Sequence, residues 1–360
     1  MKRTISLILV LALWGGLAAF AWLKPAGEFS DAERRPLEQF PEISGENLTS
    51  GSFMTDFADY AVDQFPLRDA FRTLNAYLTY GLLGKTDNNG IYIHDGFAAK
   101  MEYPLNEVSV NNAIQRFTEL HKQYLRGCRV RFALVPDKGC YLAQEAGALS
   151  MDYDALYAQM AESLPWADFI DLREYLTIDD YYRTDTHWRQ ERLLPAARAI
   201  AEKLGVTVPE FTQVQIDRPF YGVYYGQAAL PMEPDTMYYL TNEALGACTV
   251  TIHNTGATAQ VLDKSKLESR DLYDVFLSGS ESVLEITNPA GRRGKELIVF
   301  RDSFGSSMVP LLVNDYAKVW VLDTRYVSPA ALGQFVRFRN QDVLFLYSTL
   351  ILNSSSALRK

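Results

Sequence analysis

From Pro104 onward, stretches with helical period alternate with short apolar runs, and this alternation limits the possible fold more than any other feature of the chain. Val108 to Arg126 carries apolar residues at helical spacing, Arg129 to Val135 is an apolar run, Asp152 to Ser163 is again helical, and Phe169 to Leu172 is short and apolar. Gln190 to Leu204 reads as a helix containing Pro195, and Leu297–Phe300, Val319–Leu322 and Val343–Tyr347 read as strands separated by helical stretches. Strands and helices in this order imply an α/β fold, a largely parallel sheet covered by helices on both faces.

Between about residues 206 and 282 the alternation lapses. Tyr, Thr and Val become frequent, with Gly222, Gly226 and Gly256 interspersed, so this stretch is expected to be a β-rich insertion of short antiparallel strands. Residues 26–103 are rich in Pro, Gly, Phe and acidic residues and read as a lead segment packing on the main domain, 104–360. Within the lead segment, Phe57, Tyr60, Ala61, Leu67, Phe71, Leu74 and Leu78 suggest helices across Asp56 to Leu82, broken at Pro66. Asn88-Asn89-Gly90 is a strong turn before the hairpin strand Ile91-Tyr92-Ile93.

Residues 1–25 stand apart. Lys2 and Arg3 precede Ile5 to Leu23, nineteen uncharged residues, close to the length that crosses a bilayer as a helix. An uncleaved anchor is the preferred reading; Ala19-Phe20-Ala21 also has the form of a signal-peptide cleavage site. In either case the positive end stays in the cytoplasm and the rest of the chain is exported. The net charge of −9, with no basic stretch to offset it, argues against a nucleic-acid partner. Three cysteines, Cys128, Cys140 and Cys248, cannot make a full disulfide framework; a local Cys128–Cys140 bridge is conceivable, and buried free thiols are the simpler reading. No Cys or His spacing matches a zinc site, so no metal is expected.

Two distant stretches together hold the members of a nucleophilic triad. Asp185-Thr186-His187-Trp188 supplies a carboxylate and an imidazole, and Arg301-Asp302-Ser303-Phe304-Gly305 supplies a hydroxyl straight after an apolar strand. A serine hydroxyl becomes a useful nucleophile only when a base takes its proton and a third group holds that base in the right tautomer. Residues i and i+2 of an extended segment point to one side, which brings the Asp185 carboxylate to one ring nitrogen of His187 and leaves the other for Ser303. Gly305 to Tyr316 reads as the following helix, placing Ser303 where backbone N–H groups can stabilise an oxyanion. Alone, an Asp-x-His pair is more often a surface ion pair and a Ser at a helix start an N-cap. Asp302 is expected to cap the helix, Trp188 to pack beneath the loop and fix His187, and His94, His121 and His253 to be surface or turn residues.

These two motifs, together with Phe29-Ser30 to Pro41 and Asp63-Gln64-Phe65-Pro66-Leu67-Arg68-Asp69, resemble the bacterial DHHW protein family, which is in turn similar to the SGNH-hydrolase-like alginate O-acetyltransferases. The resemblance implies an SGNH-type α/β/α sandwich with the Asp-x-His element ahead of the serine. Carried over, Ser303 matches the nucleophile, His187 the general base and then acid, and Asp185 the orienting carboxylate. Arg325, in Leu322-Asp323-Thr324-Arg325-Tyr326, matches a basic residue near the site, with a structural ion pair as its equal alternative. Lys138 falls in another loop after a strand and is expected to line the cleft. Thr186 replaces the histidine of the family name, and Arg301 stands where ordinary SGNH esterases carry glycine. Gly279 and Asn353 are the candidates for separate oxyanion donors, beside the Ser303 amide.

The leading expectation is a membrane-anchored, extracytoplasmic O-acetyltransferase of a cell-envelope or exported polysaccharide, needing no cofactor. Because acetyl groups are made in the cytoplasm, a membrane-bound acyl transporter of the MBOAT type is the implied partner. An esterase with the same triad is one alternative. The other is a catalytically silent polysaccharide-binding or envelope-assembly protein, suggested by 21 Tyr and 5 Trp, whose flat rings stack on sugars.

Overall fold

The computed structural model describes residues 2–30 and 32–359. It divides into two compact units, Met1–Asn89 with Tyr225–Pro231, and Gly90–Tyr224 with Met232–Lys360.

The first unit opens with the helix Lys2–Leu23, whose stretch Thr4–Leu23 is long and apolar enough to cross a membrane and is not buried by the rest of the chain. Two short strands, β1 (Phe29–Ser30) and β2 (Arg35–Pro36), pair antiparallel. The helices Ser52–Asp63 and Arg68–Tyr77 are separated around Pro66, as expected of a residue that cannot donate a backbone hydrogen bond, and the second continues into a π turn, Leu78–Leu82. Arg35 grips Asp63 through two bonds of 2.7 and 2.6 Å, holding that carboxyl at about 2 against an ordinary 3.8.

The second unit begins with the hairpin β3 (Ile91–His94) and β4 (Phe97–Lys100). Its two-residue loop is Asp95-Gly96, both at positive φ (46° and 79°), the conformation that joins strands without splaying them. The Asn88-Asn89-Gly90 turn also forms, with φ of 54° and 73° at its last two residues, but it precedes the hairpin.

The remaining strands are β5 (Arg129–Val135), β6 (Ala167–Asp171), β7 (Thr212–Phe220), β8 (Asp235–Thr241), β9 (Thr249–Ile252), β10 (Ala257–Ala259), β11 (Val283–Thr287), β12 (Arg292–Arg301), β13 (Tyr316–Leu322) and β14 (Asp342–Ser348). Eight of them form one sheet in the order β10-β9-β11-β13-β12-β14-β5-β6. The five from β13 to β6 are parallel; β11, β9 and β10 extend the other edge antiparallel. Each central strand buries both faces. In β12, Leu297 and Val299 join the core that includes the helix Leu194–Leu204, while Ile298 and Phe300 join the core containing Phe117, from the helix Glu107–Leu120, and Leu156, from Tyr153–Ser163. That double burial makes these strands unbroken apolar runs in the sequence. The largely parallel sandwich is therefore the fold of this unit.

Stretch 206–282 has two parts. Strands β7 and β8 form a separate antiparallel pair, whereas β9 and β10 continue the central sheet, because antiparallel β11 offers them an edge. The three cysteines are free thiols, and burial pushes Cys140 up to about 12.

Candidate functional site

Asp185 and His187 lie on a tight loop closed by a bridge between Tyr181 and Trp188, with the Tyr182 N–H donating to the His187 carbonyl at 3.1 Å. The loop is not the extended segment that the two-residue spacing suggested. Asp185 Oδ1 instead accepts from the His187 backbone N–H at 3.0 Å and meets His187 Nδ1 at 2.6 Å. One carboxylate oxygen thus fixes both the backbone and the ring of the same residue. The other, Oδ2, accepts from the Val223 N–H at 2.8 Å.

Ser303 follows β12. Its Oγ is 2.8 Å from His187 Nε2, across 116 residues of sequence. A carboxylate can only accept, so Nδ1 carries the proton facing Asp185, and Nε2 is left as acceptor for the Ser303 hydroxyl. Asp185 and His187 are buried while Ser303 is partly exposed, so the hydroxyl is the end of the relay that a ligand can reach.

Several residues hold these two segments together. Trp188 is fully buried and donates from Nε1 to the Phe304 carbonyl (3.1 Å) and Ser307 Oγ (2.9 Å), stapling the Asp-x-His loop to the turn that carries Ser303. The Tyr273 ring stacks on the His187 imidazole at 3.9 Å and 10°, with its hydroxyl 2.7 Å from Ser307 Oγ; burial raises the pKa of that phenol, keeping it neutral. Asp302 accepts from the Phe304 N–H (3.0 Å) and the Ser348 N–H (2.7 Å), so it caps the turn and ties β12 to the end of β14.

The β7–β8 pair braces the loop from outside. Asp235, at the start of β8, accepts from the Arg183 and Thr184 N–H groups (2.9 and 2.8 Å) and from the Thr184 hydroxyl (2.6 Å). Gly222, just after β7, donates to Thr184 Oγ1 and lies so close that a Cβ there would sit 2.2 Å from Asp185 Cβ. Thr186, at the position of the family's histidine, accepts from the Tyr224 hydroxyl at 3.0 Å. Gly222, Val223, Asp235 and Tyr273 escaped the sequence reading of the site. Gly222 alone left a trace, as a glycine in a β-rich stretch.

Four expectations are corrected. Gly305–Met308 is a single helical turn continued as 3-10 helix Val309–Leu312, because Pro310 removes a donor, and the expected helix to Tyr316 does not form. Gly279 donates its N–H to the Phe276 carbonyl and accepts from Arg301 through its own, so its amide is taken. Asn353 is spent on the Asn106 N–H, Glu102 and the Pro104 carbonyl. Lys138 does not line a cleft: it is 2% exposed and donates to the carbonyls of Ala98 (2.6 Å) and Arg183 (3.1 Å). Burial pulls its ammonium down from 10.5 to about 7, against the attraction of Asp185 and Asp235.

Arg325 forms the ion pair, gripping Asp323 through bonds of 2.9 and 2.6 Å. Asp323 also faces the fully buried Arg301 at 3.5 Å, and Arg301 donates to the Asp302 and Gly279 carbonyls. Gly305 is needed beside it, since a Cβ would meet the Arg301 Cβ at 2.6 Å. Among the described residues no acceptor pairs with the Ser303 N–H. The arrangement can activate a hydroxyl, receive its proton and hold the resulting imidazolium against a carboxylate, which is the chemistry of acyl transfer.

A family model described as DHHW protein matches residues 155–322, a span that contains both motifs. A DHHW family protein from Eubacterium siraeum has the same fold at 21% identity, with 75% of this chain and 94% of that one covered and a TM-score of 0.62. PatB1 of Bacillus cereus, solved with a sulfonyl adduct, is 19% identical over 75% of this chain and 98% of its own, with a TM-score of 0.59. Another structure of PatB1 is 18% identical over 73% and 96%, with a TM-score of 0.53. No curated protein matches the chain. The resemblance to the DHHW family holds, and these likenesses give about three quarters of the chain its fold relatives.

Proposed function

We propose that this chain is a membrane-anchored serine O-acetyltransferase that modifies a cell-envelope or exported polysaccharide outside the cytoplasm. The observation that carries the reading is the continuous relay Asp185–His187–Ser303, with contacts of 2.6 and 2.8 Å. The DHHW resemblance and its likeness to alginate O-acetyltransferases support acetyl as the group moved. A relative of this fold holding a sulfonyl adduct supports a nucleophile open to electrophiles. The apolar helix Thr4–Leu23 behind Lys2 and Arg3 supports an anchor with the remaining chain exported.

In the first half-reaction Ser303 Oγ attacks the carbonyl carbon of an acetyl ester presented by an MBOAT-type membrane partner. His187 Nε2 takes the Oγ proton, the Ser303 N–H donates to the oxyanion, and collapse breaks the donor ester bond while His187 returns the proton to the leaving group. In the second half, a sugar hydroxyl gives its proton to His187, attacks the acetyl-serine, and releases Ser303 with its proton restored. Throughout, Asp185 holds the ring and offsets the imidazolium charge.

The test is intact-mass analysis of the full chain in detergent with p-nitrophenyl acetate, beside Ser303→Ala and His187→Ala. An acetyl adduct present in the parent and lost in both variants is expected. An adduct retained in Ser303→Ala would overturn the reading. With polysaccharide added, acetyl should appear on the polymer; release of free acetate alone would assign hydrolysis instead.

A further inference from the structure

The helix Arg68–Tyr77 and the π turn after it are built inside out. Phe71, Leu74, Leu78 and Leu82 recur at steps of three, four and four residues and so form one stripe, with Leu67, at φ 57°, capping its head. All five are exposed, from 44% for Leu78 to 75% for Leu82. The side facing inward carries Arg68 and Arg72, which reach Glu33 at 2.5 and 3.3 Å, together with buried Ala76 and Thr79. An amphipathic helix surrounded by water does the reverse, and five contiguous large apolar side chains exceed what a soluble surface ordinarily carries.

Neighbouring elements of the same unit continue this surface. On Ser52–Asp63, Met54 and Val62 are exposed, and a concavity of about 660 Å³ lined by Val62, Phe65, Phe71, Arg72 and Asn75 joins the two helices. The other side of Ser52–Asp63 meets the end of the N-terminal helix: Trp22 lies 6.4 Å from the rings of both Phe40 and Phe57, and Phe40 lies 5.4 Å from Tyr60. Such an aromatic cluster at the end of a membrane-length helix suits the bilayer interface.

We propose that the stripe Leu67–Phe71–Leu74–Leu78–Leu82 lies in the plane of the membrane, its side chains in the headgroup–acyl boundary of the bilayer that the N-terminal helix crosses. This rests on reading that helix as a spanning anchor. Lipid is favoured as occupant for two reasons. Trp22 ties the helical layer to the point where the chain leaves the membrane. The stripe itself holds no Lys or Arg, and the flanking Arg68 and Arg72 are already paired, so docking depends on apolar area and not on anionic headgroups.

The test places an NBD fluorophore at Leu74→Cys or Leu78→Cys in the full chain, with Cys128, Cys140 and Cys248 changed to Ala, in phosphatidylcholine vesicles with and without brominated acyl chains. Leu13→Cys, in the N-terminal helix, and Val108→Cys, 71% exposed in the second unit, serve as references. Emission at Leu74 and Leu78 should fall about two-fold with brominated lipid, as expected about 5–10 Å into the boundary, and equally when phosphatidylserine is added. Leu13 should be quenched and Val108 unaffected. Quenching at Leu13 with none at Leu74 or Leu78 would overturn the docking and leave the anchor standing. No quenching at Leu13 would remove the anchor, and the docking with it. Protection of Leu74 that depends on protein density and not on bromolipid would assign the stripe to a second copy, against the proposal.

Discussion

Asp185→Asn separates the two things the carboxylate does for His187. Asp185 accepts from the His187 N–H (3.0 Å), His187 Nδ1–H (2.6 Å) and the Val223 N–H (2.8 Å). An asparagine keeps one acceptor and gains two donors. With its oxygen toward His187, two of these contacts survive and the amide NH2 faces the Val223 N–H. With its oxygen toward Val223, two donors of His187 face the NH2, unless the ring adopts the tautomer that leaves Ser303 without a base. With the working tautomer kept, the first pose loses one contact and the second two, at about 1–3 kcal/mol each; switching the ring brings the second back to one, so the prediction is made for the first pose, in which the working tautomer survives. The charge does not survive. A carboxylate about 4 Å from an imidazolium, at an effective dielectric near 20, is worth about 4 kcal/mol, or about 10³ in rate. Stopped-flow acylation by p-nitrophenyl acetate should therefore slow about 10³-fold. Chemical denaturation should show a loss of about 1–3 kcal/mol from the Val223 contact. Acylation within ten-fold of the parent, in a folded variant, would refute the role of the charge. A loss of about 10⁴ or more is the mark of a wrong tautomer and would refute the choice of pose.

Two other positions make separate predictions. Gly222→Ala puts a methyl group 2.2 Å from Asp185 Cβ and 2.3 Å from its Cα, contacts with a neighbour that cannot swing aside. Overpacking of this kind should cost about 1–3 kcal/mol. The displaced Asp185 should slow acylation roughly 10²-fold. Gly246→Ala, inside the short helix Glu243–Ala247 with nothing within 4 Å, should leave acylation unchanged and stabilise the fold by about 0.4–1 kcal/mol, and serves as the control. Lys138 carries a pH dependence: burial pulls it from 10.5 to about 7, so between those values the unfolded chain binds more protons than the folded one. Stability should rise with pH through that window, by at most about 1.4 kcal/mol per unit. Below about 7 both states are protonated and the contribution is flat. Urea midpoints at pH 7 and 9 measure it, and Lys138→Met should remove that part of the rise. Its persistence in the variant would assign it to other groups.

What the sequence made legible was local or repeated. The central strands stood out because burial on both faces makes each a continuous apolar run, as in Leu297 to Phe300. Asp185 and His187 could be paired because they stand two positions apart, and Ser303 because it directly follows a strand. The braces were illegible because each is one unremarked residue acting over a long separation: Val223 reaches Asp185 over 38 residues and Asp235 reaches Thr184 over 51. The helix after Ser303 was overextended for a different reason. Met308 to Val313 is buried throughout, so its apolar character reports the core and not helical period, and Pro310 decides the local conformation. Gly279 and Asn353 had the right residue types for oxyanion donors, but their hydrogen-bonding groups are used elsewhere, which type alone does not reveal.

Sheet order explains why so many braces converge on one loop. Ser303 follows β12, inside the parallel set, whereas the Asp-x-His loop follows β6 at its edge, with β14 and β5 between them. Three inter-strand spacings amount to about 14 Å, which the chain after Asp171 must cross before Asp185 and His187 can meet the serine. A loop left alone over that distance would sample many positions, and fixing each of its residues costs about 1–2 kcal/mol of backbone entropy. The contacts that fix it come from separate segments: Asp235 from β8, Gly222 and Val223 from just after β7, and Tyr273 stacked on the ring. Trp188 closes the span by bonding to the very turn that holds Ser303. In this reading the β7–β8 pair is part of the machinery that keeps a remote base within 2.8 Å of its nucleophile, so changes there should reach the chemistry without touching any member of the relay.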